Sequence, residues 1–181
     1  MNNSCYIAFL RGINVGRAKR IAMADLRTLV EGLGYTGVRS LLNSGNLVFR
    51  AEGATAQEAA AAIEEALVLR LGVAARVFVL GREELGALID GNPLLDVATD
   101  HARLIVFLLG TATQRDKLAA LDSRDWGCER LALGEHAAYV WCPEGMFVSA
   151  AATSLGKLLG DGTTSRNWNT LLKLQALCDG A

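Results

Sequence analysis

Short apolar stretches of strand length alternate with longer stretches of helical spacing, and the order in which they come constrains this chain more than any other feature. Cys5–Leu10, bounded by polar residues and followed by the glycine-containing stretch Arg11–Gly16, reads as a buried strand. Met23, Leu26, Leu29, Val30 and Leu33 then recur at helical spacing, with Gly34 placed as a stop. Val38–Leu42 and Leu47–Phe49 are two short strands around Asn43-Ser44-Gly45-Asn46, whose Gly and Asn residues tolerate the positive φ of a tight turn, so this segment is a predicted hairpin. A helix over Ala56–Leu71 carries Ala59, Ile63, Leu67 and Leu71 on one stripe, and Arg76–Leu80 supplies a further strand. The order βαββαβ is that of a ferredoxin-like plait, in which the first and second strands run parallel with the third between them and helices cover one face.

The order then recurs. After a helical stretch at Glu83–Ile89 and an irregular connection from Asn92-Pro93 to His101, the pattern predicts a strand over Arg103–Leu109, a helix over Thr113–Leu121, and a hairpin of Glu129–Leu133 with Ala138–Trp141. Helices near Ala150–Leu159 and Arg166–Cys178 follow, separated by a Gly-Asp-Gly break. The expected fold is α+β, two tandem ferredoxin-like plait units with an extra C-terminal helix, the first unit covering residues 1–80 and the second 81–181.

With 181 residues, half of them apolar, the chain is long enough to bury a core without disulfides or a structural metal. Lys plus Arg number 18 against 19 for Asp plus Glu, so a net charge of -1 gives no global attraction for nucleic acid or an anionic membrane. Cys5, Cys128, Cys142 and Cys178 show neither CxxC spacing nor histidines at metal-ligand intervals, and are expected to be buried thiols. The apolar stretch Tyr6–Leu10 is too short for a signal-peptide core, and no run approaches the ~18 apolar residues of a membrane span. The expected location is the cytoplasm.

Topology brings two polar segments to one edge of the first plait, because the carboxyl ends of its first two strands point the same way. The loop Arg11–Arg20, with Arg11, Asn14, Arg17, Lys19 and Arg20, is expected about two strand spacings, or ~10 Å, from the turn holding Asn43, Ser44 and Asn46. A third segment, Thr163–Asn169, puts Thr164 and Ser165 at the predicted start of the last helix, where either hydroxyl serves as an N-cap. First-turn amides, Arg166 and Asn167 would there also suit a phosphate or carboxylate. The stretch Arg11–Gly16 fits neither GxGxxG nor GxxxxGK[ST], which argues against a standard nucleotide phosphate loop. His101 and His136 are the only histidines, and no nucleophile, general base, metal set or cofactor motif can be assigned from spacing.

Three ordered motifs, RGINVG at 11–16, SGN at 44–46 and RNWNT at 166–170, resemble those of one bacterial family, the domain of unknown function 1697 family, along a stretch from Tyr6 to Leu177. The resemblance implies a duplicated plait-like α+β fold and no particular reaction. The chain departs from the family pattern in several places. Val148, Ser149, Ala150 and Ala151 stand where an Arg and a Ser-Lys-Leu stretch are common, Arg17 where a second Gly is usual, and Ala22 where Pro is common.

The residues favour a binding domain for a small anionic ligand, phosphorylated or nucleotide-like, held by Arg11, Asn14, Asn43, Ser44, Asn46, Thr164, Ser165, Arg166 and Asn167. One alternative is an RNA-binding module stacking bases on Tyr6 and Phe49. Another is a protein-interaction or dimerising unit that uses open sheet edges.

Overall fold

A computed structural model describes residues 3–180. The described chain is a mixed α/β protein with two four-stranded antiparallel sheets and six α-helices. It divides into two compact units, one taking in the chain up to Gly86 together with its return from Lys173, the other running Ala87–Leu172.

In the first unit the elements are β1 (Asn3–Leu10), α1 (Met23–Glu31), β2 (Thr36–Leu41), β3 (Asn46–Glu52), α2 (Ala56–Leu71) and β4 (Val77–Gly81). The sheet order is β2-β3-β1-β4, every neighbouring pair antiparallel, so β3 lies between β1 and β2. Helix α3 (Arg82–Asp90) follows and crosses into the second unit. That unit holds β5 (Leu104–Leu108), α4 (Ala112–Asp122), β6 (Arg130–Leu133), β7 (Ala137–Trp141), α5 (Ala150–Leu159) and β8 (Ser165–Asn167), with sheet order β6-β7-β5-β8. Helix α6 (Trp168–Asp179) ends the described chain, its C-terminal half belonging to the first unit.

Local chemistry accounts for the helix ends. Thr55 and Glu58 form a reciprocal capping box at the start of α2, and the bonds from Thr55 to the Glu58 carboxylate hold its pKa below the usual value. Gly72, at φ 65°, closes the same helix, which buries Ala59, Ile63, Ala66 and Leu67. Helix α5 starts where Ser149 Oγ accepts from Ala152 N and ends at Gly160. Helix α1 ends at Glu31 with Gly32 as its C-cap, two residues before the expected Gly34: Gly32 N donates to Thr28 O, and Leu33 N and Gly34 N close the turn on Val30 O and Glu31 O.

Each unit has its own core. In the first, Ala8, Leu10, Leu47, Phe49 and Ala51 from the sheet meet Leu26, Leu29 and Val30 of α1 and Ile63 and Leu67 of α2. In the second, Ile105, Phe107, Ala138 and Val140 meet Leu118 of α4 and Leu155 and Leu159 of α5. The expectation that only one sheet face is covered is corrected: Ile7, Phe9 and Val48, on the opposite face from the first core, are buried as well.

Two further corrections concern the tail and the cysteines. Ser165–Asn167, expected to open the last helix, is instead the edge strand β8, paired with Ile105–Phe107, and the helix begins at Trp168. Cys5 and Cys178, expected to be thiols, are joined by a disulfide across a sequence separation of 173, whereas Cys128 and Cys142 are free. Among the described residues no helix is long and apolar enough to cross a membrane.

Candidate functional site

The loop between β1 and α1 lies against the β2–β3 turn, and one side chain makes the junction. Asn14 donates from Nδ2 to the carbonyls of Ile21 (2.9 Å) and Asn43 (2.7 Å), while its Oδ1 accepts from Ile21 N (2.8 Å). Asn14 sits at φ 54°, a left-handed conformation that Asn adopts more readily than most residues. Backbone bonds reinforce it, from Leu10 N to Gly45 O (2.8 Å) and from Asn14 N to Lys19 O (3.1 Å). Gly45 is required twice over, since φ is 85° and a Cβ there would come within 2.8 Å of both Leu10 and Ile13. The other left-handed residue of the turn is Leu42, at φ 59°, in place of the expected Asn.

These contacts divide the expected ligand residues into two sorts. Asn14 spends its whole carboxamide on backbone partners, and buried Asn46 donates to Leu41 O and Ser44 Oγ. Both act to hold the rim's shape. Arg17, Lys19, Arg20, Asn43 and Ser44 are exposed and Arg11 is half-buried, so the solvent face of the rim is cationic and hydrogen-bonding. Val15 and Leu42 stand out from the same surface.

Thr164, Ser165, Arg166 and Asn167 belong to the second unit, whereas Arg11, Asn14, Asn43, Ser44 and Asn46 belong to the first. Neither Thr164 nor Ser165 is the N-cap of the last helix. That position is taken by Asn167, whose Oδ1 accepts from Thr170 N (3.0 Å) and Thr170 Oγ1 (2.9 Å). Arg166 donates to Thr164 Oγ1 (2.8 Å) and Ser165 O (2.7 Å), and burial lowers its pKa to about 10.

At the start of α5 the chain supplies its own anion. The Glu129 carboxylate accepts from Ala150 N (3.0 Å), Ala151 N (3.2 Å) and the Ser149 hydroxyl, and so fills the N-terminal end of the helix. Neighbouring Cys142 is buried, and desolvation raises its thiol pKa, with Glu129 adding to the rise against a hydrogen bond from Ser149. A buried thiol held protonated is a poor nucleophile. His136 is exposed beside Glu135, and among the described residues no group of three or more His, Cys, Asp or Glu is placed to hold a metal ion.

The aromatic pair expected to stack bases is not available. Phe49 is fully buried, stacked on Tyr35 with centroids 5.0 Å apart, and Tyr6 tilts against it while donating its hydroxyl to Ala54 O.

A family model described as protein of unknown function (DUF1697) matches residues 3–139. The chain belongs to this family. The matched residues include RGINVG and SGN, and RNWNT lies beyond them. The fold is similar to that of the conserved bacterial protein SP0830 from Streptococcus pneumoniae, with a TM-score of 0.79 and 25% identity over 98% of this chain and 99% of that one. No curated protein matches the sequence.

Proposed function

We propose that this member of the family is a binding domain for a small anionic ligand, phosphorylated or nucleotide-like, taken up at the rim of the first unit. The observation that carries the reading is the Asn14 bridge, which braces the Arg11–Arg20 loop on the turn at Asn43. A braced loop presents Arg17, Lys19 and Arg20 with less ordering entropy to lose on binding than a free one. Positive φ at Gly12, Asn14 and Gly16, every second residue, is a pattern that turns successive amides toward an anion and adds support.

The scaffold reading that goes with it is a pair of ferredoxin-like plait units arisen by internal duplication, supported by the parallel between β2-β3-β1-β4 and β6-β7-β5-β8. In that reading β8 takes the place of β4, α6 is the addition, the ligand edge is kept in the first unit, and the protein works in the cytoplasm.

Titration of inorganic phosphate, pyrophosphate and ATP into labelled protein, followed by amide chemical shifts, tests the binding. Saturable shifts confined to residues 11–20 and 43–46, weakened at least 10-fold by R17A/K19A/R20A, are the expected result. If no ligand shifts those amides at millimolar concentration, the reading fails.

A further inference from the structure

A second feature of the first unit lies apart from the rim residues. A cleft of about 740 Å³ is lined by Ser4, Cys5, Arg50, Arg82, Cys178 and Asp179 among others, so both sulfur-bearing residues of the disulfide belong to its wall. Both residues line this cleft, and at 9% exposed Cys5 is the more open of the two, Cys178 being 2% exposed. Cys178 sits in the last turn of α6, far along the chain from β1.

Beyond the disulfide, an ion pair also ties the last turn to its own unit. Asp179 pairs with Arg82 at 2.7 Å, but the two side chains are 46% and 60% exposed, and solvent-exposed pairs of this kind contribute little. Leu174, one turn upstream, is fully buried and keeps the helix seated whatever happens at Cys178.

We propose that Cys5 and Cys178 form a redox latch: oxidised, the pair pins the last turn of α6 to β1 as a wall of the cleft, and reduced, it releases that turn and opens the cleft. The inference is independent of the anion-binding reading. In the closing step a low-molecular-weight disulfide is the oxidant. Two protein thiols become one protein disulfide, and the two electrons and two protons pass to the small disulfide, which leaves as two thiols. In the opening step a small thiolate attacks the more exposed Cys5 sulfur and expels Cys178 as thiolate, which takes a proton from water. A second small thiol resolves the mixed disulfide, returns Cys5 as a thiol and departs as the oxidised small disulfide. Disulfides that small thiols reach under native conditions are the labile, regulatory kind.

The test uses the full chain in glutathione buffers of graded thiol-to-disulfide ratio. Alkylation under denaturing conditions with intact-mass readout counts thiols, and hydrogen exchange by mass spectrometry follows the backbone. Oxidising buffer should leave two alkylatable cysteines, Cys128 and Cys142, and reducing buffer four. Reduction should speed exchange at residues 176–180 at least 10-fold while β3 amides stay unchanged, and Cys178→Ser should show the fast exchange in both buffers. A pair that remains bonded in native reducing buffer, four alkylatable cysteines in oxidising buffer, or exchange at 176–180 indifferent to reduction in the wild-type chain would each overturn the latch.

Discussion

Replacing Asn14 with Ala tests whether one carboxamide holds the rim. The substitution removes three hydrogen bonds, two of them to the backbone of Ile21, which is only 6% exposed, and one to Asn43 O at the surface. Stranding the buried amide and carbonyl of Ile21 costs about 1 kcal/mol each, and the surface bond, regained by water, about 0.5 kcal/mol. Ala at φ 54° adds about 1 kcal/mol of left-handed strain that Asn14→Gly does not incur. The expected losses are about 3.5 kcal/mol for Ala and about 2.5 kcal/mol for Gly. Trp126, Trp141 and Trp168 all lie in the second unit, so tryptophan fluorescence reads that unit and cannot follow this loss. Native-state hydrogen exchange at Ile7 and Ala8 of β1 can, and 3.5 kcal/mol corresponds to exchange roughly 300-fold faster. If Asn14→Ala speeds those amides less than about 3-fold, the bridge contributes nothing and the braced-loop argument falls with it.

Gly45→Ala should destabilise the first unit by about 2–4 kcal/mol, because strain at φ 85° adds to contacts of 2.8 Å with Leu10 and Ile13; denaturant unfolding followed by far-ultraviolet circular dichroism measures it. Asn167→Ala should cost the second unit about 1 kcal/mol through loss of the cap at Thr170, and Asn167→Asp should restore most of it, by thermal unfolding. Tyr139, whose buried hydroxyl donates to Leu88 O at 2.5 Å, has its pKa raised by desolvation from 10.0 to about 12. A folded pKa above the unfolded one gives a contribution present in full below pH 10 and lost as pH rises toward 12, so wild-type stability should fall across that window and Tyr139→Phe should flatten the fall.

Helix ends governed by neighbours in sequence were readable. Ala56–Leu71 and Ala150–Leu159 have the expected bounds because Thr55 with Gly72, and Ser149 with Gly160, close them locally. Strand β8 was not, since Ser165-Arg166-Asn167 has no apolar alternation and is a strand only because β5 offers it an edge. The correct cap was in reach: Asn167 is as good a cap as Ser165, and choosing between them needed the knowledge that β8 uses the preceding residues. The disulfide left no local trace, because its cysteines are 173 positions apart. At the rim the residue types singled out the Arg11–Arg20 loop and the Asn43–Asn46 turn, but which amides face outward depends on the backbone groups of Ile21, Leu41 and Asn43 that claim Asn14 and Asn46.

The first unit takes its last piece from beyond Leu172, and this has a consequence during synthesis. Its four strands leave the ribosome early, but the helical segment it needs waits until Ala87–Leu172 has been made. At roughly 5–20 residues per second that interval is on the order of 4–17 s, long enough for the second unit to fold first. The unit encoded first is therefore the one finished last, and a chain that stops short of Lys173 injures the beginning of the protein more than its end.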